Sequence, residues 1–423
     1  MRGEEGYQET NRFIRDGADR NDKEKIHYDG GGMFSHRTEW KLTPNRFTVA
    51  QQEMARAGKE ILDLSISNPT RAGLHYEREA ILEGLARPES LDYDPQPKGL
   101  ISARQAVSDY YRKQHDEFDI DAESMILTTS TSEGYSYVFR LLCNAEDEIL
   151  VPKPSYPLFE FLADLQDVKL VPYPLIYDHG WQMDFPSLYK AVNHRTRAVV
   201  VVHPNNPTGS YLSQAEQTGL NNFCREYNLA IVVDEVFLDY AHDGAQRQTF
   251  AANEDALTFT LSGLSKVSGL PQMKLAWVVA SGPAEQRNAA MERLEVIADT
   301  YLSVNAPIQF AAPALLEQRK SIQALLLDRL RTNLKELDRV LGRQKTCERL
   351  EVEGGWYAVL RVPATKSDED LAIEILQKAC VLVHPGHFYD FASDGYLVVS
   401  LITPPELFRE GIERVMGLLG KSF

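Results

Sequence analysis

RAVVVVHPNNPTG, residues 197–209, decides the fold. Four consecutive valines follow Ala198, and no polar residue interrupts them. A strand with one solvated face alternates apolar and polar side chains. An unbroken β-branched run marks a strand covered on both faces, as in a parallel sheet between helices. The run stops at a turn in which prolines and a glycine stiffen the backbone and two asparagines present side-chain amides. Such a turn serves either as a rigid connection or as a fixed hydrogen-bonding platform.

The same alternation continues on both sides. SMILTTS (124–130), DEILVPKP (147–154), VKLVPYPL (168–175), LAIVVDEVF (229–237), TFTLSGLSK (258–266) and KLAWVVASG (274–282) have the length and apolar content of strands. EGYSYVFRLLCNA (133–145), YPLFEFLADL (156–165) and AEQTGLNNFCREYN (215–228) read as helices between them. Strands alternating with helices predict an α/β protein: a large domain with a mostly parallel, seven-stranded-type sheet covered by helices on both faces. Two long helical stretches follow (284–303 and 319–344), then the short strand-like runs GGWYAVLRV, VLVHPGHFYDF and GYLVVSLI, and an amphipathic helix at 404–420. These predict a smaller α+β domain. Residues 1–32 are polar and aperiodic and end in glycines, which suggests a flexible extension. The expected division is extension 1–32, N-terminal arm and part of the small domain 33–75, large domain 76–310, and small domain 311–423.

Composition narrows the function. The chain has 423 residues, 43% of them hydrophobic, enough for more than one core. Its formal net charge of −16 repels nucleic acid and anionic membranes. The cysteines, Cys143, Cys224, Cys347 and Cys380, lie far apart with no CxxC spacing, which argues against structural zinc and a disulfide framework. No apolar run reaches the ~18–20 residues that span a bilayer. With no signal-peptide pattern either, a cytoplasmic protein with reduced thiols and no bound metal is expected.

Ligands of open parallel sheets bind beyond the carboxyl ends of the strands. TTSTSEG (128–134) opens a helix there and suits a phosphate, although the same hydroxyls serve as a helix cap. PSYP (154–157) holds Tyr156 at a strand mouth, as a stacking platform or as packing. Asp234 follows an apolar run, where it is either a site carboxylate or a capping acid. SGLSK (262–266) ends another strand with a lysine. A phosphate cradle, a flat aromatic, an amide, a carboxylate and a lysine in successive loops suit a planar phosphorylated aldehyde with a cationic ring, which is pyridoxal phosphate.

YDPQPKGL (93–100), TTSTSEG, PSYP, NNPTG, DEVF and SGLSK occur in the order and spacing of one family, over about residues 60–415. On these motifs the chain resembles the class I/II aminotransferases, fold-type I pyridoxal-phosphate enzymes. The resemblance implies an aminotransferase that moves an amino group between an amino acid and a 2-oxo acid by a ping-pong mechanism. Lys266 forms the Schiff base and shuttles the proton. Asp234 pairs with the pyridinium nitrogen, Asn206 bonds the ring oxygen, and Tyr156 stacks on the ring. Thr131, Ser132, Ser265 and Lys274 contact the phosphate. Tyr93 reaches the phosphate of a neighbouring subunit in a homodimer with a shared active site.

The chain also departs from that pattern. Lys274 stands where arginine is usual, Phe237 where a tyrosine is frequent, and Gly263 where a hydroxyl is frequent. YLVVSLIT places Val398 at the position of the arginine that clamps the substrate carboxylate. Ser67, Arg71 and Arg361 are the candidates for substrate contact in its place; His384 and His387, in HPGH near that strand, could also face the pocket, although a structural role is the expectation for them. The lost arginine also motivates an alternative, a decarboxylase or a carbon–sulfur or β-eliminating lyase using the same cofactor.

Overall fold

The computed structural model describes residues 33–114, 119–157, 159–243 and 247–422. The expected flexible extension, 1–32, lies outside the described residues. The large sheet contains β1 (Met125–Thr128), β2 (Glu148–Lys153), β3 (Lys169–Tyr177), β4 (Trp181–Met183), β5 (Thr196–Val202), β6 (Ala230–Asp234), β7 (Thr258–Gly263) and β8 (Ala276–Ser281). Its eight strands run in the order β1-β8-β7-β6-β5-β2-β3-β4. The neighbours from β7 through β6, β5 and β2 to β3 pair in parallel. β8 lies antiparallel to both β1 and β7, and β4 forms an antiparallel edge with β3.

The valine run behaves as a two-faced strand. Ala198, Val200 and Val202 pack into the core on one face, with helices α1 (Thr131–Leu142) and α2 (Ala284–Tyr301). Val199 and Val201 pack into the core on the other, with Leu220, Phe223 and Cys224 of the helix Gln214–Tyr227. All of these side chains are within 5% of complete burial. At about 1.5–3 kcal/mol for each buried valine or leucine, a central strand of this kind contributes strongly to the cohesion of the sheet.

This topology also brings the motifs together. β2, β5, β6 and β7 are parallel, and β1 runs with β7 because β8 opposes both. Thr128, Lys153, Val202, Asp234 and Gly263 therefore end their strands on one edge of the sheet. Ala276, the first residue of β8, pairs there with both Thr128 and Gly263.

The second core belongs to the smaller antiparallel sheet, made of β9 (Glu348–Arg349), β10 (Tyr357–Arg361), β11 (His384–Pro385) and β12 (Tyr396–Ser400) in the order β9-β10-β12-β11. Helices Arg319–Leu341, Asp368–Ala379 and Pro405–Ser422 share its core with Phe47, Ala50, Leu62 and Leu64 of the N-terminal arm. Leu62–Asp63 pairs in parallel with Val381–Leu382. The sequence reading assigns no element to Ala306–Glu317, which is a helix carrying Pro307 near its start and Pro313 inside. Its buried residues join the core of the large sheet, so the expected 310/311 boundary falls within it.

Among the described residues no helix is long and apolar enough to cross a membrane, and no cluster of metal-ligating side chains occurs. All four cysteines are free.

Candidate active site

A cavity of about 290 Å³ opens between the strand-end edge and the small sheet. Eight of the candidate site residues line it, Ser67, Thr131, Ser132, Tyr156, Asn206, Asp234, Ser265 and Lys266, together with Phe237 and Gly263, two of the departures from the family pattern.

Each is delivered by local structure. Ser130 caps α1 by accepting from the Glu133 N–H at 3.2 Å, and Glu133 reaches back to accept from the Thr129 N–H at 2.7 Å. The first N–H groups of a helix have no partner within it. Those of Thr131 and Ser132 are thus available at the wall, at the positive end of the helix dipole. The helix approaches this closely because Gly134 has no side chain: a Cβ there would stand 2.9 Å from Val278 and 3.0 Å from Leu261. In the NNPTG turn the two asparagines divide the work. Asn205 accepts from the Thr208 hydroxyl at 2.9 Å and donates to the Pro154 carbonyl at 3.3 Å, so it fastens the turn. Asn206 faces the cavity, and its side-chain oxygen is buried with no partner.

Asp234 ends β6. Its carboxylate accepts from the Val236 N–H at 3.0 Å and from the Tyr135 hydroxyl at 3.2 Å. Burial pushes its pKa up to about 6, while Val236, Tyr135 and the positive charge of Lys266 pull it back. Lys266 sits on the short helix Leu264–Val267 that follows β7. Its Nζ lies 4.8 Å from the centroid of the Trp356 ring and 5.6 Å from that of Phe237. Burial against these rings lowers its pKa to about 8, and the charge of Asp234 limits the drop. The backbone is held from below. Tyr240 donates its hydroxyl to the Lys266 carbonyl at 2.6 Å, and Gln323 donates to the Val267 carbonyl at 2.8 Å.

The other end of the cavity comes from the small domain. Ser400 donates from its N–H to the Leu64 carbonyl at 2.6 Å and from its hydroxyl to the Ile66 carbonyl at 2.5 Å. The arm is thereby laid along β12, with Ser65 and Ser67 at the wall. Tyr357, His384, Phe388 and Tyr389 close the cavity.

Four expected residues are not in this wall. Tyr93 is 84% exposed and belongs to a separate surface groove with Asp92 and Gln96. Lys274 is exposed, with a left-handed backbone at φ 53°. Arg71 is exposed at the end of the turn Pro69–Arg71. Arg361 forms an ion pair with Glu348, its partner in the β9–β10 register, on the exposed end of the small sheet. The sequence reading missed Tyr135, Trp356 and Glu235. Tyr135 is one helical turn beyond Thr131, and that i, i+4 spacing was a usable signal. Trp356 comes from the opposite domain and carries no local signal.

Glu235 is 1% exposed and lies behind the site. It accepts from the Thr249 hydroxyl and the Phe250 N–H, each at 2.6 Å. Burial raises its pKa to about 8. An acid whose pKa is raised by folding binds its proton more tightly in the folded state. The resulting stability is complete below the ordinary carboxylate pKa and is lost as pH rises toward about 8. Glu235→Gln is therefore expected to gain a few kcal/mol over the parent at pH 8 and little at pH 4.5, by denaturant unfolding at both pH values. Equal effects at the two pH values would refute this.

The profile of the family described as "Aminotransferase class I and II" matches residues 59–415. The glutamate-pyruvate aminotransferase AlaA of Haemophilus influenzae is 29% identical over 352 residues, covering 81% of this chain and 87% of that protein. The alanine aminotransferase of Mycobacterium tuberculosis is 28% identical over 364 residues, 82% of each. Among solved structures, the alanine aminotransferase from Pyrococcus furiosus superposes with a TM-score of 0.82 at 23% identity, over 89% of this chain and 96% of that one. The tyrosine aminotransferase from Leishmania infantum gives 0.79 at 21% identity, over 90% and 98%.

Proposed function

The chain belongs to the class I and II aminotransferase family, enzymes that move an amino group between an amino acid and a 2-oxo acid, and from that premise we propose which residues do so here and on what class of substrate. The observation that carries the proposal is the convergence of Lys266, Asp234 and Asn206 on one cavity. The residues present fit pyridoxal 5′-phosphate: a buried lysine with a lowered pKa, a carboxylate fixed by two donors, a buried amide oxygen without a partner, and hydroxyls at a helix start. Bound there, the cofactor would supply an aldehyde for amine exchange and a ring that withdraws electrons from the carbon bearing the amine.

The chain's own residues would then act as follows. Lys266 Nζ takes the proton from the donor's Cα and returns it on the cofactor side, which a half-neutral amine can do near pH 8. Asp234 holds a proton on the ring nitrogen, and Tyr135 and Val236 fix the angle of its carboxylate. Asn206 orients the ring oxygen and Tyr156 covers one face. Thr131, Ser132 and Ser265 bind the phosphate, with Lys274 as a counter-charge on its long stem. Phe237 and Trp356 keep water from the amine of Lys266. A homodimer is part of the proposal: Tyr93, exposed on its own subunit, is assigned to the partner's phosphate. So are a cytoplasmic location and the division into an arm, a large domain and a small domain.

The named relatives act on alanine, or on glutamate and pyruvate. Among the described residues of the wall, Lys266 is the one lysine or arginine, so a neutral amino acid of alanine's class is the proposed donor. The decarboxylase and lyase alternative is not favoured, because the named relatives are aminotransferases. The test is a donor screen on the cofactor-loaded protein. One equivalent of 2-oxo acid per site without acceptor, and continuous turnover once a 2-oxo acid is added, are expected. Release of CO2, or of ammonia with pyruvate, in place of transfer would overturn the proposal.

A further inference from the structure

The helix Leu264–Val267, which carries Lys266, is a single turn. A helix this short leaves most of its carbonyls to find partners outside it, and it is not stable by itself. What holds it therefore sets where the Lys266 side chain starts. Tyr240 ties the Lys266 carbonyl to the segment that follows Asp234. A third element fastens the same two segments. Gln323, on the helix Arg319–Leu341, is 7% exposed, and its Nε2 donates to the Asp239 carboxylate at 2.7 Å and to the Val267 carbonyl at 2.8 Å. A carboxylate and a carbonyl only accept, so the amide nitrogen faces them and both of its hydrogens are used.

The surroundings pin each end of this bridge. Asp239 also accepts from the Tyr110 hydroxyl, at 3.2 Å to one oxygen and 3.1 Å to the other. The guanidinium of Arg319, one helical turn before Gln323, lies 5.1 Å from the centroid of the Tyr110 ring. Beyond Gln323 the helix enters the core of the small sheet through Leu326, Leu330 and Leu337. Gln323 thus joins a helix rooted in the small-domain core to the backbone of the lysine helix and to the segment leading away from Asp234.

We propose that Gln323 is a positioning residue for the transfer reaction: by bridging Asp239 and Val267 it holds the lysine helix at a fixed distance from Asp234. This rests on the aminotransferase reading of the same cavity. Without the bridge, two buried acceptors lose a donor and the lysine helix relaxes toward water. A displacement of about 1 Å at a reacting group can cost about 100-fold in rate. Burial is the largest cause of the lowered Lys266 pKa, so the same relaxation should return that pKa toward the ordinary lysine value.

The experiment compares Gln323→Met, which keeps the size of the side chain and loses both donors, with Asn333→Leu as a matched control. Asn333 lies on the same helix, about 15 Å further along, and its amide likewise donates to two acceptors, the carbonyls of Leu401 at 2.8 Å and Thr403 at 2.7 Å. Gln323→Met is expected to lower kcat about 10–100-fold with KM within about threefold of the parent. In the full chain before cofactor is added, Lys266 is methylated with formaldehyde and cyanoborohydride and followed by peptide mass spectrometry. Only the neutral amine reacts, and in Gln323→Met the pH dependence of its labelling should move up by about one unit. Asn333→Leu is expected to lower the unfolding midpoint comparably and leave kcat and labelling at parental values. Gln323→His, which keeps one N–H at a similar reach, should recover part of kcat. Parental kcat or an unmoved labelling profile in Gln323→Met would overturn the proposal. So would equal changes in Asn333→Leu, the mark of a merely structural role. If the methionine variant does not fold, the histidine variant decides: a partial loss of kcat with the labelling shift supports the proposal, and parental values overturn it. Labelling requires no turnover, so failure of the underlying reading would show separately, as absence of transfer by the parent.

Discussion

Lys266→Ala is expected to lose transfer activity by roughly 10⁴-fold or more, the upper range for removing a positioned proton-transfer group that is also a covalent partner. The loss should appear in kcat, with the cofactor still bound through Asp234, Asn206 and the helix start at Thr131. The surroundings of the amine explain why nothing replaces it. Lys266 is the one lysine or arginine in the described wall, and Lys274 lies outside it, on the side assigned to the phosphate. Trp356 and Phe237 exclude water from its position and lower its pKa to about 8. A neutral amine is the competent base, so the parent's activity should rise with pH through about 8 and level off above it. Lys266→Arg fills the space and keeps the charge but stays protonated at any working pH, so it is expected to be as inactive as the alanine variant. Stopped-flow absorbance with a saturating donor separates loss of chemistry from loss of binding. Substantial turnover in either variant would mean that another group handles the proton.

The contrast between Lys266 and Trp356 shows what the sequence discloses and what it does not. Asp234 and Asn206 follow continuous apolar runs, Lys266 follows the mixed strand TFTLSG, and parallel strands align their carboxyl ends. A local pattern therefore places them on one edge before any coordinates are known. Trp356 reaches the same lysine from the small domain, about ninety residues on, and its approach depends on how two cores pack. β8 shows a subtler limit. KLAWVVASG is as apolar as the parallel strands, and its antiparallel direction follows from pairing with both β1 and β7, which a hydropathy pattern does not carry. The helix Ala306–Glu317 is disguised by Pro307 and Pro313, yet its buried Ile308, Ala311, Ala312 and Leu315 hold it against the large sheet. Arg361 lies outside the wall for an electrostatic reason. Arg361 lies directly across from Glu348 in register, and an exposed opposite charge at that distance engages it. Strand register is invisible to a reading of either segment alone.

Asp234→Asn carries the second large effect, an expected loss of roughly 10²–10³-fold in kcat, the size found for removing one preorganised charge or donor aimed at developing charge. The substitution is nearly isosteric. The amide oxygen can still accept from the Val236 N–H, and folding should be little changed. What disappears is the negative charge that keeps a proton on the cofactor's ring nitrogen. The same charge supports the protonated form of Lys266, so the lysine pKa should fall below about 8 in the variant. The pH profile separates these roles. Burial raises the pKa of Asp234 to about 6, and the protonated ring nitrogen it pairs with would pull it lower, so the parent should lose activity as pH falls below 6 and the carboxylate takes up a proton. The variant has no such group, and its low residual activity should lack that acidic limb. Its alkaline-side rise, governed by Lys266, should move to lower pH. Tyr135→Phe removes one of the two donors that hold the carboxylate while sparing its charge. It should raise the acidic pKa slightly and cost far less than the asparagine variant. If Asp234→Asn retains near-parental kcat, or if the acidic limb persists in it, the charge at this position is not what the chemistry uses.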